Sequence, residues 1–169
     1  MLRALVIFIT QLLLWVLLAQ ANHVLAPWHT YLFAGGLFVT FAALRLPLLD
    51  GCAAAMLGGL LCDATAPVPF GTHTLLFAAV FAIVFNVRDR LPREEAIVRV
   101  MVALVANLAL FLALSFLRIG DSPAPAAAWG RLFFDLLCSQ VAIALAGPWF
   151  FALQGRALDL ARTEPVTLD

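Results

Sequence analysis

The chain contains no lysine: all ten of its basic residues are arginine, and ten acids balance them to a formal net charge of zero. Charged residues make up only 12% of it, about half the share usual in soluble domains. So few charges cannot wet the surface of a water-soluble fold, and the neutral balance argues against a nucleic-acid partner. There is a single tyrosine and few hydroxyl side chains, so a pocket selecting a polar metabolite would be under-equipped. The three cysteines (Cys52, Cys62 and Cys138) each lie in an apolar run without paired or ligand-like spacing. That makes them small buried hydrophobes and not a disulfide or metal set. No serine stands near a base, and no phosphate-binding glycine loop, catalytic carboxylate pair or Cys/His pair occurs. Neither catalysis nor a cofactor is expected.

What is abundant is hydrophobicity, at 64% of residues. The apolar runs are separated by short polar breaks, which predicts an all-α integral membrane protein whose single domain is the whole of residues 1–169. Six transmembrane helices are expected, at about 4–19, 31–44, 48–62, 73–87, 96–117 and 129–153. The first run, with Arg3 before it and Ala19-Gln20-Ala21 after it, also has the outline of a cleavable signal peptide. Its apolar core is long, however, and cleavage would leave an odd number of spans, so it is read as a retained span.

Six spans put both termini on one side, and the arginines test that arrangement. Arg3, Arg45, Arg88, Arg90, Arg93, Arg99, Arg156 and Arg162 fall on the side of the termini, against Arg118 and Arg131 on the other. This asymmetry predicts cytoplasmic termini. The charged segment Arg88–Glu95 then meets anionic lipid, or alternatively docks a cytoplasmic protein. Trp28 and Tyr31 fit an interfacial belt, with His23 and His29 in the same loop.

Ionisable groups in or at the end of a span are costly and are functional hypotheses by default. Asp63 closes the third run, and Arg131 and Asp135 lie four residues apart in the sixth, on one helix face, where they can pair. Asp63 is expected at the same depth and able to pair with Arg131 or Arg118; the other reading leaves these groups in the interface, meeting water or headgroups. Arg118 and Asp121 are read as interfacial. Gln11 and Asn107 are expected to bond neighbouring helices, and the small residues Ala54, Ala55, Gly58 and Gly59 to let backbones approach closely. His73, without a second ligand at metal spacing, is read as the opening of a helix.

The hairpin around Asp63 carries a resemblance. Gly59-Leu60-Leu61-Cys62-Asp63, followed by Pro67-Val68-Pro69-Phe70-Gly71, resembles the G-x-L-x-D and P-x-G pattern of the rod-shape-determining MreD proteins of bacteria. The serine usual after the acid is replaced here by Ala64-Thr65-Ala66. The resemblance implies a non-enzymatic protein of the bacterial cytoplasmic (inner) membrane. Its fold would be similar to the substrate-binding subunits of energy-coupling-factor vitamin transporters. It also implies partners: a bitopic MreC-like protein and, through it, MreB and the peptidoglycan synthases RodA and PBP2. Gly59, Asp63, Pro69 and Gly71 are the matching positions, with Asp63 expected to brace the turn by accepting backbone N–H groups. The alternative from another class is a transporter substrate-binding subunit. Such subunits usually carry an Ala-x-x-x-Ala pair on the first helix, and Ala4–Ala19 has none.

Overall fold

The computed structural model describes residues 2–92, 95–119 and 125–161. They form six helices: α1 (Leu2–Leu25), α2 (Gly35–Arg45), α3 (Leu48–Asp63), α4 (Thr72–Val87), α5 (Ala96–Ile119) and α6 (Pro125–Leu160). Single 3-10 turns at Ala26–Trp28 and Arg88–Arg90 extend the first and fourth, and no strand occurs among the described residues. Four helical stretches (Arg3–Trp28, Thr72–Arg90, Ala96–Leu117 and Trp129–Leu160) are long and apolar enough to cross a membrane. Their outward faces expose large apolar side chains such as Ile9, Leu17, Ile83, Val105 and Leu145. In water that surface would be a liability; in lipid it is the expected exterior.

The helix α2 departs from the sequence expectation. Its 11 residues span roughly 16 Å at the helical rise per residue, about half of a hydrocarbon core. Tyr31–Ala34, expected to be its first turn, is not helical. Every residue from Gly35 to Leu44 is buried, because α3, α4, α5 and α6 all pack around it. α2 is thus the centre of the bundle and not one wall of it. The close fit to α5 depends on Gly36, where an added Cβ would collide with the carbonyl oxygen of Ala103. Elsewhere the helices outrun their expected limits: α1 continues through Asn22 and His23, and α6, at 36 residues, extends beyond 129–153 at both ends.

The bundle has two chemically distinct ends. At one, Arg45, Arg99 and Asp159 surround a small recess. There Arg88 donates to the carbonyl oxygen of Leu46 at 2.8 Å and lies 3.7 Å over the Phe85 ring. Its guanidinium therefore serves the C-terminal end of α2, where a cation is favoured. At the other end lie two irregular connections among the described residues, α1 to α2 and α3 to α4. The candidate site lies there.

Candidate functional site

The turn between α3 and α4 leaves the first amides of α4 without helical partners. Gly71 precedes that helix at φ 96°, a left-handed conformation that glycine adopts at no steric cost. An added Cβ there would meet nothing, so the requirement is for backbone angle and not for space. Thr72 donates its hydroxyl to the carbonyl oxygen of Pro69 at 2.6 Å, and Gly71, at the N-cap position, has no side chain to cap with. The cap comes instead from α3. Asp63 Oδ1 accepts the His73 N–H at 2.8 Å, and Oδ2 accepts the Thr74 N–H at 3.0 Å and the Thr74 hydroxyl at 2.7 Å. These are the second and third amides of α4, the donors an ordinary N-cap side chain would take. The carboxylate charge also meets the positive end of the helix dipole.

Gly59 is one turn before Asp63 on the same face. A Cβ there would lie 2.5 Å from Thr74 Cα and 2.8 Å from its backbone nitrogen. The glycine lets α4 come close enough for Asp63 to reach it, and α3 packs on α4 more extensively than any other pair of helices. Asp63 also binds the His73 ring, Nδ1 to Oδ1 at 2.9 Å. The sequence reading missed His73 as a partner. The available signal was its position ten residues beyond the acid, across a Pro/Gly turn. Among the described residues Asp63 therefore pairs with His73 and not with Arg131. The side chain of Arg118 lies outside the described residues, as do Asp121, Arg93, Glu94 and Arg162.

The second carboxylate serves the second break. In Tyr31–Phe33 the backbone has no helical partners, and side chains from other elements supply them. Asp135 Oδ1 accepts the Tyr31 N–H at 3.0 Å, Asn22 Oδ1 the Leu32 N–H at 2.7 Å and Ser139 Oγ the Phe33 N–H at 2.9 Å. Asn22 also donates to the Leu32 carbonyl oxygen at 3.0 Å, and Asn107 accepts the Gly36 N–H at 3.2 Å. Irregular backbone survives at membrane depth only where protein satisfies it in this way. The expected Arg131–Asp135 pair is not what the structure shows: Asp135 is buried and turned to Tyr31, while Arg131 is exposed. Being four apart makes pairing possible, but a part-buried amide without a helical partner is the more demanding neighbour.

The same pattern continues along the bundle. Gln11, fully buried, donates to the Phe38 carbonyl oxygen at 2.7 Å, and Gln140 donates to that of Leu104 at 3.1 Å. Cys52, Cys62 and Cys138 are free and half-buried, not fully enclosed. Beside the two breaks lies a cavity of about 500 Å³, walled by α1, the Leu32–Gly35 segment, the end of α3 and His73. Comparison of this chain with family models, with characterised proteins and with solved structures returned no match.

Proposed function

We propose that this protein is a non-enzymatic scaffold of the bacterial cytoplasmic membrane, of the rod-shape-determining MreD type. In that reading it has six spans and cytoplasmic termini, with α2 as a short central span. It binds a bitopic MreC-like protein and helps organise peptidoglycan synthesis by RodA and PBP2 along MreB. The observation that carries the reading is the engagement of its membrane-depth polar groups. Asp63, Asp135, Asn22, Asn107, Ser139 and Gln11 all bond the protein's own backbone. Side chains that brace backbone in this way hold a rigid shape for a partner, while Gln11 Oε1 and Asn107 Nδ2 stay buried without a hydrogen-bond partner among the described residues. The G-x-L-x-D hairpin, with Gly59, Asp63 and Gly71 each serving the α3–α4 turn, supports the same reading.

The second reading, a transporter substrate-binding subunit, is favoured by one feature, the cavity beside His73. Affinity capture of the tagged protein from membranes in mild detergent separates the two. The scaffold reading expects a bitopic MreC-like protein together with wall-synthesis enzymes. Recovery of an ATPase with its transmembrane coupling subunit would overturn it.

A further inference from the structure

His73 is 3% exposed and lies in the cavity wall. Its Nδ1 is held by Asp63, and among the described residues Nε2 has no hydrogen-bond partner. An ionised carboxylate only accepts, so Nδ1 carries the shared proton, and in the neutral ring Nε2 is left as an acceptor. Of the other polar residues in the wall, Asn22 is already bonded at both amide atoms to Leu32, Thr65 donates its hydroxyl to the Cys62 carbonyl oxygen at 3.4 Å, and Tyr31 gives its N–H to Asp135. The remaining surface is largely apolar, formed by Trp15, Leu18, Phe33 and Phe38. A volume of about 500 Å³ falls within the range that holds one small ligand, about 300–1,000 Å³.

The geometry points to a binding site for one neutral, single-chain amphiphile whose hydroxyl donates to His73 Nε2 and whose tail lies against α1. Three features select that class. No arginine lines the cavity, and the Asp63 carboxylate stands directly behind the ring, so an anionic head is opposed. A buried acceptor without a protein partner matches a hydroxyl donor, and a few polar groups among largely apolar walls suit a lipid better than a sugar or nucleotide. Finally, the α1 surface next to the cavity, including Val16 and Leu17, is exposed and faces lipid, which gives the tail a route from the bilayer. The site does not depend on which protein partner the molecule has.

The test is equilibrium binding of radiolabelled 1-monooleoylglycerol to the full chain, purified in dodecyl maltoside, with protein-free micelles as the baseline. Saturable binding near one per chain is expected, displaced by unlabelled monooleoylglycerol and not by oleate or dioleoylphosphatidylglycerol. His73→Asn keeps an N–H directed at Asp63 but removes Nε2, and should weaken binding about tenfold, the scale of one hydrogen bond. Ala19→Trp narrows the cavity from a residue outside the Asp63 network, and should abolish saturation while the unfolding temperature is retained. Uptake equal to that of empty micelles, undiminished binding by Ala19→Trp, or equal displacement by the anionic lipids would each overturn the assignment.

Discussion

Two breaks in helical structure, at the same end of the bundle, are repaired by the same chemistry at different range. Between α3 and α4, Asp63 caps amides ten and eleven residues further along the chain. Between α1 and α2, Asp135 reaches a backbone amide 104 residues earlier, and Ser139 reaches one 106 residues earlier. The near repair is concentrated in one side chain, which holds two amides, a hydroxyl and an imidazole. This second repair is distributed over Asp135, Ser139 and Asn107, all distant in sequence, and Asn22, ten residues away, each of which takes a single N–H. A concentrated device fails all at once when its one residue is removed, whereas a distributed one fails by fractions.

The largest effect should therefore come from Asp63→Ala, which leaves the His73 and Thr74 amides buried without acceptors. A loss of about 3 kcal/mol or more is expected, read as a large drop in unfolding temperature in mild detergent. Asp63→Asn keeps an acceptor for one of the amides and should lose less. If Asp63→Ala unfolded at the wild-type temperature, the hairpin would owe nothing to this cap. Gly59→Ala comes next. Its methyl group would press on the Thr74 backbone and not on a flexible side chain, so α4 must shift, at a cost of about 1–3 kcal/mol. Combined with Asp63→Ala it should fall well short of additivity, because both substitutions act on the contact between α3 and the start of α4.

Asp135→Ala should cost less than Asp63→Ala, about 1–2 kcal/mol, since one amide at a part-buried position loses its acceptor. The loss should be local. Hydrogen exchange would quicken at Tyr31 and its neighbours, with the α3–α4 turn left protected. If exchange rose equally at both breaks, the two repairs would be one cooperative unit and the contrast between them would fail.

The same difference in range governs what the sequence could reveal. The helical class and, among the six expected spans, the four long apolar helices were readable, as was a tight Gly59–Gly71 turn, because each depends on neighbours within about a dozen residues. Glycine, acid, proline and glycine in quick succession describe a turn that needs a cap. Tyr31–Ala34 was not readable. Its apolar composition matches a helix, and two of the three side chains that make a non-helical path tolerable, Asp135 and Ser139, lie on α6, more than a hundred residues away. Nor does hydropathy reveal that α2 is enclosed on every side: an 11-residue run between a break and a Pro-containing turn looks like a short span whether its neighbours are lipid or helices. His73 was underread for a related reason. A histidine opening a helix gains meaning only from the carboxylate behind it and the cavity before it.

Arg131 gives the smallest expected effect and the sharpest test of range. Sequence spacing pairs it with Asp135 on one face of α6, whereas the structure leaves it exposed and gives the carboxylate to Tyr31. Arg131→Ala should then change stability by no more than about 0.5 kcal/mol, as surface substitutions usually do. In a double-mutant cycle with Asp135→Asn, the coupling energy should stay within the roughly 0.3–0.5 kcal/mol seen for independent sites. A coupling of 1 kcal/mol or more would mean that, in the bilayer, the acid is held by its own helix. The non-helical segment would then rest on Asn22 and Ser139 alone. Independence would instead leave Asp135 as a long-range brace, fixing α6 to the start of α2 as Asp63 fixes α3 to the start of α4.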